Sequence, residues 1–155
     1  MIKKYAPLLL WIGAFELISF TIGSLTQGSV DGWYIQLARP PLVPPNIVFP
    51  IMWTILYALI AATGWHLWRA REAQPHLLRL FFAYMALNWS WSFVFFGAHL
   101  LLPGLVWILA LNLIAVILIF QAWDRLRNAA LLMIPPTLWT FFAAYLNAGY
   151  WWLNG

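Results

Sequence analysis

The sequence predicts an all-α integral membrane protein, folded as an antiparallel bundle of five transmembrane helices with a long, proline-rich first loop. Of its 155 residues, 65% are hydrophobic and only 8% are charged. Soluble domains carry about 25% charged residues, so this chain cannot cover a water-facing surface. Its mean hydropathy is +0.82, and five apolar stretches approach the roughly 20 residues that a helix needs to cross a bilayer.

The predicted spans form one domain over residues 1–155 and lie at about 5–25, 47–68, 77–101, 104–123 and 129–152. Residues 71–75 join the second span to the third, and residues 124–128 join the fourth to the fifth. A break at Pro103 and Gly104 is expected between the third and fourth spans. Connections this short require neighbouring helices to run antiparallel.

The first connection, residues 26–46, differs from the others in length and composition. Five of the ten prolines fall between Pro40 and Pro50. Proline fixes φ and removes a backbone donor, and it pushes the preceding residue towards extended conformations. The sequence therefore predicts a stiff connection that is neither helix nor strand.

Orientation follows from the basic residues, which alternate antiparallel spans divide between two sides. One side holds Lys3, Lys4, Arg69, Arg71, Arg79, Arg125 and Arg127, and the other holds only Arg39. Cytoplasmic connections carry the excess of lysine and arginine. We therefore expect a cytoplasmic N-terminus, with the first loop and the C-terminus outside.

Several kinds of site are not indicated. The chain has no cysteine, which excludes disulfides and thiolate chemistry, and its three histidines are not spaced as metal ligands. We predict no metal site. The basic residues lie beside apolar spans, a pattern that suits bilayer orientation better than nucleic-acid binding.

Nine of the twelve tryptophans fall into two groups. The first lies near span ends, where indole rings settle at the membrane interface, and comprises Trp65, Trp68, Trp123, Trp151 and Trp152. Trp53, Trp89, Trp91 and Trp139 lie deeper within their spans. Because a buried indole N–H needs a partner, the deeper rings are expected to face protein or a ligand.

Glu16 is an unusual residue for the middle of a first span. A carboxylate there costs roughly 3 kcal/mol or more, so we expect it to be buried against protein. Gly13, Glu16, Phe20 and Gly23 follow helical spacing and predict a stripe that another helix approaches closely.

Three helix faces combine aromatic rings with hydrogen-bonding groups. By the i, i+3, i+4, i+7 rule they are Trp53 with Tyr57; Asn88 with Trp91, Ser92 and Phe95; and Trp139 with Ala143, Leu146 and Asn147. Such faces suit a cavity for a flat, mostly apolar ligand with a few polar edges. They equally suit pairing between helices with no ligand, and the pattern leaves both open.

Three blocks of residues, in order and at matching spacing, resemble the signature of a known family. The first comprises Trp33, Tyr34, Leu37, Arg39, Pro40, Pro44, Pro45, Val48, Phe49, Pro50, Trp53, Thr54, Leu56 and Tyr57. The second is 87–91 followed by 95–98, and the third is Pro135, Leu138, Trp139, Leu146 and Asn147. On these motifs the chain is similar to the tryptophan-rich sensory proteins, the family that includes the translocator protein, or peripheral benzodiazepine receptor.

This resemblance implies a bacterial or archaeal cell-membrane protein that binds porphyrin-like tetrapyrroles such as protoporphyrin IX or haem and requires no other cofactor. The pocket that it implies is lined by Tyr34, Trp53, Tyr57, Asn88, Trp91, Trp107, Trp139, Ala143 and Leu146. It also implies a homodimer. Small residues on the third helix, such as Ala83 and Ala86, suit close contact either between two copies or within one monomer, and the pattern leaves both open.

The implied function is binding with transport or sensing of the tetrapyrrole, and the first loop would cover the pocket. One alternative is an enzyme-like degradation of porphyrin that depends on light and oxygen and uses Trp53 or Trp139. Another is a stress-signalling scaffold. The loop departs from the family pattern at Leu42 and Ile47, where relatives often carry tryptophan, which reduces the aromatic contribution expected from the loop.

Overall fold

The computed structural model describes residues 2–155 and consists of five long helices. They are α1, Ile2–Gly32; α2, Val48–Arg69; α3, Pro75–Ser92; α4, Leu101–Ala122; and α5, Arg127–Asn154. All five are long and apolar enough to cross a membrane, and the described residues form no strand. The predicted class, an all-α bundle of five transmembrane helices, is confirmed.

The helices pack in a ring whose order differs from their order along the chain. Helix α1 packs on α2, α2 on α5, α5 on α4, and α4 on α3, which closes the ring against α1. At one end, here called the basic end, Arg125 Nη1 donates to Gln74 Oε1 at 3.0 Å and ties two connections together. At the opposite end, the loop end, the connection from α1 to α2 meets the end of α5.

Helix α1 ends later than the sequence predicted. It continues past residue 25 to Gly32, and a short 3-10 helix follows at Tyr34–Gln36. No proline interrupts residues 26–32, and Gln27 Nε2 donates to Asp31 Oδ1 one turn later at 2.8 Å, a spacing that supports a helix. Its 31 residues extend about 46 Å, well beyond the bilayer core, and the non-helical connection shrinks to residues 37–47.

The break between α3 and α4 also differs from the prediction at Pro103 and Gly104. A π-helical turn, Phe93–Gly97, ends α3, and the chain reverses at His99, whose φ is 58°. The His99 ring stacks on Trp33 at 4.3 Å, which holds this left-handed residue in place. Pro103 lies in the first turn of α4, where a missing N–H costs nothing.

Helix α1 lies at the edge of the ring. This position corrects the expected burial of Glu16 and the expected close helix contact along the stripe that contains it. Only 6% of its span is buried, and Glu16 is only partly buried. A Cβ placed on Gly13 or Gly23 would meet nothing within 4 Å, so no helix of the described chain packs closely on these two glycines of the predicted stripe. The reason is that α1 packs on α2 and α3 along one side only.

The small residues Ala83 and Ala86 of α3, considered above for a dimer contact, are exposed. The homodimer stays a prediction.

Buried hydrogen bonds join α4 to α5. Thr140 Oγ1 donates to Asn112 Oδ1 at 2.5 Å, and Asn112 Nδ2 donates to the Thr140 carbonyl at 3.2 Å. Both side chains are at most 2% exposed. Since a bilayer core supplies no water to an unpaired amide, this pair fixes the register of the two helices.

We expect Thr140→Val to destabilise the protein by about 1–3 kcal/mol, because it leaves the Asn112 amide oxygen buried without its donor. Adding Asn112→Leu should restore most of that loss, since both partners are then apolar. Thermal unfolding of the two single variants and the double variant in detergent measures the coupling. Additive losses would show that the pair is not coupled.

Candidate functional site

Residues 37–47 dock against the outer side of α5. The Ala38 N–H donates to Asn154 Oδ1 at 2.8 Å, and Asn154 Nδ2 donates back to the Ala38 carbonyl at 3.0 Å. The Tyr145 hydroxyl donates to the Pro41 carbonyl at 3.1 Å. Pro40 packs directly on Gly149, where a Cβ would lie 2.5 Å from the Pro40 Cβ. The prolines therefore give this segment a rigid shape that fits a glycine-sized gap in α5.

Beneath the docked segment lies a cluster of aromatic rings, which we call the loop-end cluster. Its buried members are Tyr34, Phe95 and Tyr150, with Trp33, Trp91 and Phe96 packed against them. Tyr34 and Tyr150 have ring centroids 4.9 Å apart, and Trp91 stacks on Phe95 at 4.9 Å with 17° between the planes. The cluster joins α3, α5 and the start of the first loop.

A polar group lies deeper in the bundle, between α2 and α3. The Tyr57 hydroxyl donates to Asn88 Oδ1 at 2.5 Å, and Asn88 Nδ2 donates to the Tyr84 hydroxyl at 3.4 Å. Tyr57 and Asn88 are thus brought together as hydrogen-bond partners, and both are buried.

The predicted face of α5 points inward and extends further than the sequence indicated. Trp139 makes an edge contact with Phe49 at the start of α2, with centroids 6.1 Å apart. Ala143 and Leu146 follow on the same face, and Tyr150 completes it by continuing the i, i+4, i+7, i+11 spacing. Tyr150 is 1% exposed. Sequence reasoning missed it, although extending the helical spacing by one turn would have found it.

Two buried polar atoms near this cluster lack hydrogen-bond partners within the described chain. They are Asn147 Oδ1 and the Tyr150 hydroxyl. Asn147 Nδ2 is satisfied, since it donates to the Leu101 carbonyl at 2.8 Å. An unpaired buried polar atom costs about 1–3 kcal/mol. Both atoms therefore have unused hydrogen-bonding capacity in the interior of the bundle.

Comparison with known proteins gives the family. A model of the TspO/MBR family matches residues 7–153. The chain belongs to the TspO/MBR family. It is 34% identical over 138 residues to the Tryptophan-rich protein TspO of Archaeoglobus fulgidus, covering 88% of this chain and 90% of that protein.

More distant TspO/MBR proteins align over most of their length. The Translocator protein of Bos taurus is 31% identical over 142 residues, covering 88% of this chain and 83% of that protein. The Tryptophan-rich sensory protein of Cereibacter sphaeroides is 29% identical over 127 residues, covering 82% and 78% respectively. The resemblance found from the three motif blocks is thereby confirmed, and the protein is an integral membrane protein.

Among the residues predicted for the TspO/MBR pocket, Trp107 of α4 lies at the edge of the bundle. It is 36% exposed and donates to Ser90 Oγ at 2.9 Å. Ser90 follows Asn88 by two residues and so lies on the opposite side of α3. Trp107 therefore covers the outer edge of the contact between α3 and α4.

The two loop positions that depart from the family pattern also face outward. Leu42 is 78% exposed, with a φ of 66°, and Ile47 is 65% exposed. The inward contributions of the loop come instead from Tyr34, Leu37 and Val43, which belong to the loop-end cluster. The exposed Leu42 and Ile47 therefore take no part in the interior contacts of the loop.

Two surface concavities lie away from the predicted pocket residues. A groove of about 380 Å³ runs between Pro40 and Pro41 of the loop and the last turns of α5, and a second concavity of about 310 Å³ lies at the basic end. The interior under the loop is filled by the packed rings of the loop-end cluster. A large ligand can enter it only if residues 37–47 move and those rings separate.

Proposed function

We propose that this protein binds porphyrin-like tetrapyrroles, such as protoporphyrin IX or haem, inside the bundle and beneath residues 37–47. One observation carries the proposal. The aromatic faces of α2, α3 and α5 each bring an indole ring against the bundle. Trp53 packs on the buried core beside Tyr57, Trp91 packs with Tyr34 in the loop-end cluster, and Trp139 contacts Phe49 at the start of α2.

The chemistry of this interior suits a flat conjugated ligand. Aromatic rings stack on its faces, and such contacts are worth about 0.5–1.5 kcal/mol each beyond the area that they bury. The edges of protoporphyrin IX and haem carry propionate carboxyl groups, and the N–H groups of a metal-free porphyrin lie at the centre of the ring. The unpaired Asn147 Oδ1 can accept from an N–H or O–H donor, and the Tyr150 hydroxyl can donate to a carboxylate.

The site lies within a membrane bundle, which favours transport or sensing over a role in solution. Two relatives are named Translocator protein and Tryptophan-rich sensory protein, and these names also support transport or sensing. With the basic end on the cytoplasmic side, the loop end faces outward. Movement of residues 37–47 would then admit ligand from outside or from the outer leaflet.

Titration of purified protein with protoporphyrin IX tests the proposal through quenching of tryptophan fluorescence. We expect saturable quenching, and about three- to tenfold weaker binding in Trp53→Phe and Trp139→Phe, because each loses part of an aromatic contact surface. Trp107→Phe is the matched control, since this indole lies on the outer edge of the bundle. Its affinity should stay within twofold of the parent protein.

Absence of saturable quenching would overturn the proposal. Equal affinity in the parent protein and in the Trp53 and Trp139 variants would also overturn the assigned position within the bundle. Weaker binding in Trp107→Phe than in Trp139→Phe would place the ligand on the outer surface of α3 and α4 instead.

A further inference from the structure

The basic end of the bundle contains a polar concavity that the proposed tetrapyrrole site does not use. It has a volume of about 310 Å³ and is lined by His66, Arg125, Leu126, Arg127, Asn128 and Ala129. These residues bring the last turn of α2 against the connection between α4 and α5. The concavity therefore opens at the end opposite the docked loop.

Both arginines are held in place from outside the concavity. Arg125 Nη1 donates to Gln74 Oε1 at 3.0 Å, and the Arg127 guanidinium lies 4.8 Å from the centroid of the Trp123 ring. A guanidinium has five N–H donors, so these contacts leave several donors unused. Two positioned cations thus meet at one concave surface.

Neither arginine is neutralised by a carboxylate. The salt bridge found among the described side chains joins Arg71 to Glu72 at 3.8 Å, and it does not involve Arg125 or Arg127. The first turn of α5 adds backbone N–H groups with no capping side chain, since Leu126 provides none. The concavity is thus rich in donors, and an anion would satisfy them.

The depth of the concavity in the membrane follows from the tryptophans around it. Trp65, Trp68 and Trp123 lie at this end, each with an arginine guanidinium over its ring at 4.8–4.9 Å. Indole rings and arginines occupy the level of the lipid headgroups. An anion at this level is most readily the phosphate of a membrane lipid, because the headgroup layer is the local source of phosphate.

We propose that this concavity binds a phosphate group, supplied by the headgroup of an anionic membrane phospholipid. The planar fork of a guanidinium matches two phosphate oxygens, and basic pockets between transmembrane helices are suited to such headgroups. A volume of about 310 Å³ accommodates the phosphate and its glycerol while the acyl chains remain in the bilayer. The lipid would hold the connection between α4 and α5 against the end of α2.

Native mass spectrometry of detergent-purified protein with added phosphatidylglycerol tests this assignment. We expect Arg125→Gln and Arg127→Gln to weaken lipid binding about fivefold each, because each arginine near the membrane surface contributes on that scale. Arg71→Gln is the matched control. Arg71 also stacks on a tryptophan, at 4.8 Å from Trp68, but it lies outside the concavity, and its removal should change lipid binding by less than twofold.

Two further ligands separate the possible sources of phosphate. Phosphatidylcholine should bind more weakly than phosphatidylglycerol, and inorganic phosphate should compete with the lipid only at millimolar concentration. Tight binding of inorganic phosphate without lipid binding would overturn the lipid as the source. Equal losses in Arg125→Gln, Arg127→Gln and Arg71→Gln would indicate a general charge effect and overturn the site, as would unchanged binding in all three.

Discussion

Replacing Gly64 with alanine is expected to destabilise the protein by about 3 kcal/mol. A Cβ at this position of α2 would lie 2.5 Å from Trp11 Cζ3 and 2.8 Å from two ring atoms of Phe81. Phe81 is completely buried, so its ring has no free space into which it can move. The added methyl group must therefore separate α1 and α3 from α2.

Thermal unfolding in detergent, followed by circular dichroism, measures this effect. Gly23→Ala is the matched control, because a Cβ there meets nothing within 4 Å and alanine favours a helix by about 1 kcal/mol over glycine. The control should unfold at the same temperature as the parent protein or higher. If Gly64→Ala and Gly23→Ala unfold at the same temperature, Gly64 does not lie in close contact with Trp11 and Phe81.

Replacing Gly149 with alanine is expected to release residues 37–47 from α5 and to speed protoporphyrin IX dissociation about tenfold. The new Cβ would lie 2.5 Å from the Pro40 Cβ and 2.9 Å from its Cγ, and the proline ring is rigid. As the loop moves away, both hydrogen bonds between Ala38 and Asn154 are lost, and two bonds at about 0.5–1.5 kcal/mol each account for a change of that size.

Stopped-flow fluorescence measures the dissociation rate, and hydrogen exchange at the Ala38 amide reports docking of the loop independently. Asn154→Ala provides a second route to the same state, because it removes both hydrogen bonds without a steric clash. If the Ala38 amide exchanges quickly in both variants while dissociation is unchanged, residues 37–47 do not cover the ligand. Porphyrin binding itself could still hold in that case.

The inward faces of the helices were predictable because helical periodicity is local. Residues three, four and seven apart share a side of any α-helix, so the grouping of Trp53 with Tyr57, and of Trp139 with Ala143 and Leu146, needed no knowledge of neighbours. The burial of Tyr57, Asn88 and Leu146 agrees with these faces.

Trp107 shows where this reasoning ends. Its position in the implied pocket came from family resemblance, and periodicity along α4 does not say which neighbour its indole meets. Its Nε1 donates to Ser90 on the outer side of α3, and this contact depends on how α3 and α4 pack.

The end of α1 was missed for a different reason. The polar residues between 26 and 32 resemble a loop in composition, but Gln27 and Asp31 form a hydrogen bond one turn apart that supports a helix.

By itself, the sequence determined the membrane class, the five spans, the family and the faces that turn inward. These follow from apolar length and helical spacing, because a backbone in lipid must satisfy its hydrogen bonds within each helix. Only the tertiary structure decided the order of the helices in the ring, the docking of the proline segment on α5 and the basic concavity. Each depends on contacts between distant residues, such as Ala38 and Asn154, which are separated by 116 positions, and no local pattern encodes which of many apolar surfaces will meet.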